Sequence, residues 1–307
     1  MPRTNYCGVL NINKPNGPTS REIVNRVQKL VRPAKVGHAG TLDPMATGVL
    51  VVCVGHATRL INLVQEGRKV YRARFLLGRT SNTDDVTGIV AEGGPVDGIT
   101  RERIEELLPD FQGRIQQVPP QFSAVHVDGQ RAYDLARSGQ SVELEARSID
   151  VHDIKLTEYL LPEFELQIEC GSGTYVRSIG RDLGQALGCG AVMINLERLS
   201  VGPFNVKNAV SPDDLTPDSL NHHLQSPLVA IPDVRQLTLT EEQLTAMRCG
   251  QTIAIKPELI VPAKSAPKNR FDNRLACIRE TGQLIGICDF DPATRRMQPR
   301  IVFPTDY

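Results

Sequence analysis

At 307 residues the chain is long enough for a sizeable core and about two domains, and its composition is that of an ordinary soluble protein, while its net charge of zero by itself argues for nothing and against nothing. No uncharged apolar run approaches the roughly 20 residues that span a bilayer, and the opening Met-Pro-Arg-Thr-Asn-Tyr-Cys has no apolar signal core, so a cytoplasmic location is expected. Seven scattered cysteines without a Cys-x-x-Cys pair, and six histidines without ligand spacing, predict reduced thiols and neither a disulfide framework nor a metal site.

Neutrality conceals an uneven distribution. Between Arg21 and Arg79 eleven Lys/Arg face three acids, a local +8 that the remainder offsets. Such a field suits a polyanion such as nucleic acid, or belongs to a surface compensated in space by the acidic remainder.

Residues Cys7 to Asn13 alternate as a strand and end at Lys14-Pro-Asn-Gly-Pro-Thr-Ser20, dense in turn formers. Thr19 and Glu22 then form a capping box for a helix with Ile23, Val24, Val27, Leu30 and Val31 on one face and Arg26, Lys29 and Arg32 turned away. Next comes the stretch around which the chain is organised, Lys35-Val-Gly-His-Ala-Gly-Thr-Leu-Asp-Pro-Met-Ala-Thr-Gly48, running into the apolar strand Val49–Val54. Its glycines allow tight turns or close approach of a ligand, and Pro44 fixes the backbone beside Asp43. Taken alone, that aspartate is either a turn former or a positioned catalytic carboxylate. The loop lacks the Gly-Lys-Ser/Thr ending of a phosphate-binding loop, and Gly171-Ser-Gly-Thr-Tyr-Val lacks the third glycine of a dinucleotide fingerprint, so no nucleotide cofactor is expected.

His56 to Gln65 reads as a short helix, and Tyr71, Ala73, Phe75 and Leu77 share one face of a strand whose other face carries Arg72 and Arg74. Gly78 to Gly88 is a polar loop or hairpin tip with Asp84 and Asp85, and Ile99 to Phe111 is helical. The Pro119-Pro120 break opens a segment in which Arg131, Tyr133 and Arg137 mix basic and aromatic side chains, types that contact phosphates and stack on bases. Phe164, Leu166, Ile168 and Cys170 alternate along a half-buried strand that meets Gly171–Ser178, and a helix follows through Ile179, Leu183 and Leu187. Tyr175 and Arg177 sit at that strand-to-helix junction. Proline-rich punctuation over 211–235 predicts a domain boundary near 232; beyond it a capped helix from Thr240 and strand-like segments at 275–279, 284–289 and 300–303 predict a small, mostly β domain.

Five motifs in this order and spacing carry a resemblance: Gly8-Val-Leu-Asn-Ile-Asn-Lys-Pro-x-Gly-Pro-Thr-Ser20, Lys35–Gly48, Lys69-x-Tyr71, Gly78-x-Thr-x-x-Thr-x-Asp85-x-x-Gly88 and Gly173-Thr-Tyr-Val-Arg-Ser178. Over essentially its whole length the chain resembles the TruB and dyskerin family of pseudouridine synthases. The resemblance implies an α/β (α+β) pseudouridine synthase fold with a mixed, mainly antiparallel sheet flanked by helices. Residues 1–232 would form the catalytic domain, with an RNA-gripping insertion at about 119–150, and 233–307 a PUA-like RNA-binding domain. It also implies isomerisation of uridine to pseudouridine in the T loop of tRNA, at position 55, by a monomer without cofactor or guide RNA.

Carried over to this sequence, Asp43 is the catalytic aspartate, His38 the histidine that contacts RNA where the target base leaves its stack, and Tyr71 the ring against the flipped uracil. Arg177 pairs with the catalytic carboxylate, Asp85 is a second acid of that network, and Tyr175 and Leu196 line the pocket. Arg131, Tyr133 and Arg137 would grip the stem-loop. The reaction breaks N1–C1′, turns the base and joins C5 to C1′, which one nucleophile can accomplish by attack at C6 or at C1′. A competing expectation from another functional class is an RNA-binding or tRNA-folding factor, which needs the basic surface but not the Asp43–Arg177 pair.

Overall fold

The computed structural model describes residues 6–123, 126–127, 130–131, 144–263 and 273–304, with backbone alone for 126–127 and 130–131. Tyr133, Arg137 and the side chain of Arg131 lie outside the described residues, as does most of the loop 262–274.

In chain order, β1 (Gly8–Lys14) leads to α1 (Ser20–Val31), β2 (Val36–His38) and β3 (Thr47–Val54). A 3-10 turn (Gly55–Leu60), α2 (Ile61–Gln65), β4 (Lys69–Leu77), β5 (Arg79–Ser81), β6 (Val90–Glu92), α3 (Arg101–Leu107) and β7 (Gly113–Gln117) come next. Then follow β8 (His126–Val127), β9 (Gln130–Arg131), β10 (Arg147–Leu160), β11 (Glu163–Cys170), α4 (Val176–Ala186), β12 (Ala191–Val201), β13 (Phe204–Asn205) and α5 (Leu220–His223). The last part holds β14 (Arg235–Thr238), α6 (Glu241–Arg248), β15 (Ile253–Ala254), β16 (Arg274–Ile278), β17 (Leu284–Asp291) and β18 (Arg296–Val302). The helix expected over 56–65 divides into a 3-10 turn and five α-helical residues, because it starts at Gly55 with φ of 63° and no side chain caps either piece.

The first sheet runs β1-β3-β12-β4-β11-β10-β7, with β2 on β3 and β13 on β12. Its strand pairs are antiparallel except β3 with β12, which meet through Thr47–Glu197 and Gly48–Arg198. The uninterrupted apolar run of β3 follows from burial on both faces. Leu50, Val52 and Val54 pack with Ile23, Val24 and Val27 of α1, whereas Val49, Val51 and Cys53 join a second cluster with Leu60 and Val64. Further along the sheet the outer face is wet, and Arg68–Glu169, Arg72–Glu197 and Arg74–Glu158 pair across it. Such exposed pairs contribute about 0–1 kcal/mol each, so the Phe75–Phe164 stack on the inner face, 5.1 Å between centroids, matters more to this end of the sheet.

A second sheet, β14-β16-β17-β18-β15, forms the β-rich C-terminal part with α6 capped by Thr240 and Gln243. Ala276, Leu284, Ile287 and Phe303 of this part enter the same apolar cluster as Val49, Val51 and Leu60 of the first sheet. That cluster spans the two sheets, each of which also has a separate apolar cluster of its own.

Candidate active site

The Asp43 loop is fixed from beneath before any charge is considered. Ser20, the first residue of α1, accepts the backbone N–H of Leu42 at 2.9 Å and donates to its carbonyl at 3.0 Å. Lys14, fully buried at the end of β1, donates to the carbonyls of Pro15, Pro44 and Ala46 at 2.9, 3.1 and 2.7 Å. Gly17 donates to Pro44 and Ala46 to Asp43. Backbone carbonyls, held at several points, keep the loop in one shape and leave the Asp43 side chain 37% exposed.

Against that carboxylate stands Arg177, in the first turn of α4 and 8% exposed. One terminal nitrogen lies 3.1 Å from Asp43 Oδ2 and donates to the carbonyl of Phe122; the other lies 3.6 Å from Asp85 Oδ2 and donates to the carbonyl of Thr83. Asp85 is itself satisfied on its other oxygen by the Thr83 hydroxyl and by the N–H and hydroxyl of Thr87. One helical turn on, Arg181 pairs with Asp84 at 2.9 Å. Consecutive acids of the polar loop thus take arginines four apart on one face of α4. That loop is fastened to β12 by backbone bonds of Met193 to Asp84 and Val86.

Asp43, Arg177, Tyr71, Tyr175 and Leu196 share one cleft of about 400 Å³, together with Lys69 and Arg198. Tyr71 projects from β4, and burial pushes its phenol up while the positive charge of Arg198 draws it back. Tyr175 caps the start of α4, where its backbone N–H and carbonyl are both taken by the side chain of the buried Gln117 on β7, at 2.9 and 3.0 Å. Burial also pushes the Tyr175 phenol up. Asp85 lies behind Arg177 and His38 at the end of β2, neither of them lining the cleft. Burial, reinforced by Arg198 and Arg21, lowers the proton affinity of the His38 imidazole.

The sequence reading did not single out Lys14, Arg181, Gln117 or Arg198. Lys14 and Lys69 are buried cations pushed down to about 8, chiefly by burial. Arg198 is 1% exposed, and among the described residues no carboxylate lies within ion-pairing distance. Leu196 and Arg198 share the inward register of β12, and a buried arginine is costly unless something in the site uses it.

A family model described as TruB family pseudouridylate synthase (N terminal domain) matches residues 28–176, and one described as tRNA pseudouridylate synthase B C-terminal domain matches 177–231. The chain is 42% identical over 246 residues to the tRNA pseudouridine synthase B of Heliobacterium mobile, covering 79% of this chain and 80% of that one. With its counterpart from Gloeothece citriformis (strain PCC 7424) it shares 38% identity over 287 residues, 91% and 90% of the two chains. Among solved structures it superposes on a chain of an H/ACA RNP bound to a substrate RNA containing 2′-deoxyuridine, with TM-score 0.72 and 22% identity over 97% of this chain and 86% of that one. The last likeness is one of fold.

Proposed function

This chain belongs to the TruB family of pseudouridylate synthases, and we propose from that premise that it converts uridine to pseudouridine in tRNA, at position 55 in the T loop. The observation that carries the reading is the part-exposed Asp43 carboxylate at the cleft, 3.1 Å from the buried Arg177.

Asp43 is the nucleophile in this reading. A guanidinium that also holds Asp85 orients the carboxylate, so its lone pair faces the cleft when a nucleotide enters. Attack at C1′ or at C6 leads to loss of the N1–C1′ bond; the uracil turns, C5 bonds to C1′, the C5 proton leaves, N1 takes up a proton from solvent and the carboxylate is released. Product and substrate have the same atoms, and no electrons are exchanged with a third molecule. Tyr71 and Leu196 pack against the base, and Tyr71 takes the C5 proton in the last step.

A uracil stacked inside a folded loop cannot reach a cleft of this size, so the target nucleotide is extruded, at a cost of a few kcal/mol that a strained loop reduces. The basic segment 21–79, with Arg131, Tyr133 and Arg137, grips the stem-loop phosphates, and His38 meets the RNA where the base departs. Residues 1–232 act as the catalytic domain and 233–307 as a PUA-like RNA-binding domain, in a single chain without guide RNA.

The test is tritium release from tRNA transcript labelled at C5 of uridine. Wild type releases tritium from one T-loop uridine, and Asp43→Asn binds the tRNA without releasing any. Release from Asp43→Asn at the wild-type rate would remove Asp43 from the mechanism. Binding without release by the wild type would leave a tRNA-folding factor as the better reading.

A further inference from the structure

Tyr71 and Arg198 stand directly opposite each other on the antiparallel strands β4 and β12, with both side chains on the cleft. Arg198 has almost no freedom there. Its Nε donates to the carbonyl of Val49 at 2.7 Å and a terminal nitrogen to that of Gly40 at 3.0 Å, which fixes the plane of the guanidinium against the Asp43 loop. The group is buried, and its cross-strand contact with Tyr71 is what brings its charge to the cleft. Lys14, the other fully buried cation nearby, spends its donors on three carbonyls and makes no such contact.

We infer that Arg198 is a positioning residue for Tyr71: it fixes the phenol oxygen at the cleft and stabilises the phenolate that accepts the C5 proton. The inference rests on the proposed role of Tyr71. In that step the C5–H bond breaks, its electron pair closes the C5=C6 double bond, and the displaced pair moves to N1 or back to Asp43, according to the route of attack. The phenolate oxygen takes the proton, having given its own to solvent beforehand.

Arg198 comes from β12, Cys170 from β11 and Asp43 from the loop, while Ile168 is the residue paired with Tyr71 on β11. The cleft around the phenol also holds Lys69, two residues back on β4, and Tyr175 and Arg177 at the start of α4. Burial, Cys170 and Asp43 all favour the neutral phenol, and Arg198 favours the phenolate. A cation fixed by backbone carbonyls needs no reorganisation when charge develops on the oxygen beside it.

Single-turnover tritium release, followed from neutral to alkaline pH, tests the assignment with Arg198→Gln and Arg198→Lys, alongside tRNA affinity. For Arg198→Gln the expected result is a rate about ten to a hundred times lower at neutral pH, with the rising limb of the profile displaced upward by about one pH unit and affinity unchanged. Arg198→Lys keeps a charge and recovers part of both effects. If Arg198→Gln does not fold, the Arg198→Lys profile decides alone: an upward displacement supports the inference. A lower rate at every pH with the limb unmoved would overturn it, leaving Arg198 a purely structural clamp. Wild type and Asp43→Asn are run in parallel. If wild type releases no tritium, the isomerase reading fails; if it does while the Arg198 profiles stay in place, only the Arg198 inference fails.

Discussion

Arg177 spans two carboxylates of unlike accessibility, its nitrogens 3.1 Å from the part-exposed Asp43 and 3.6 Å from the buried Asp85. The buried acid anchors the guanidinium and the other is presented to the cleft. Replacing Arg177 by lysine keeps the charge but cannot reproduce a fork that meets both acids and the carbonyls of Thr83 and Phe122. Arg177→Lys is expected to turn over about a hundredfold more slowly, the scale of loss from misplacing a reacting group by about 1 Å, with tRNA affinity nearly unchanged. Single-turnover rates and filter binding on the same preparation separate the two quantities.

Lys14 and Lys69 are each pushed down to about 8 from an ordinary value of 10.5, so the folded chain holds these protons less tightly than the unfolded chain. Through these groups, stability is lowest below pH 8 and rises between about pH 8 and 10.5. Buried thiols act in the opposite sense. Cys7 and Cys170 are pushed up to about 11 and Cys53 to about 12, so the folded chain favours their protonated forms and loses that advantage as pH rises above 9. Comparison with Lys14→Met isolates one lysine. The urea midpoint of wild type relative to the variant is expected to rise between about pH 7.5 and 10. A constant or falling difference would show that Lys14 is not carrying a buried charge.

Gly48 has φ of +96°, and a Cβ there would lie 2.2 Å from the carbonyl oxygen of Arg198. Both the backbone conformation and the contact oppose any larger residue. Gly48→Ala is expected to lower stability by about 2 kcal/mol, seen as a fall of about 5 °C in Tm, and to slow turnover by moving β12. Calorimetry with and without bound tRNA measures the first effect, and a wild-type Tm would contradict the geometry.

Removing residues 232–307 would strip Ala276, Leu284, Ile287 and Phe303 from the apolar cluster they share with Val49, Val51 and Leu60. The truncated chain is expected to bind a hydrophobic dye and to aggregate, because it exposes a contiguous apolar patch. A truncated chain that stays monomeric, binds no dye and melts at the wild-type temperature would mean that the shared core contributes little.

Local chemistry made much of this readable. The capping boxes at Thr19 and Thr240, the alternation of Phe164, Leu166, Ile168 and Cys170, and the glycines around Asp43 each announce an element through interactions within a few residues. β10 was harder to read: its ladder with β11 shifts register between Val151 and Asp153 and again between Leu156 and Glu158, interrupting the period-two signal. The gathering of Asp43, Tyr71, Tyr175, Arg177 and Leu196 around one cleft rested on family resemblance, since their separations along the chain say nothing of distance in space. Arg198 escaped notice because its partners are the carbonyls of Val49 and Gly40, groups every residue carries and no sequence pattern marks.

The parallel join of β3 and β12 is only two residue pairs long, and Asp43 comes from one side of it while Arg177 and Tyr71 come from the other. A catalyst assembled across so short a seam checks its own construction. A chain whose two halves had each formed but not docked would carry the Asp43 carboxylate without Arg177. On the proposed role of Asp43, turnover needs that seam closed, so an activity assay during refolding is expected to register its closing, whereas far-UV dichroism registers the strands and helices on either side.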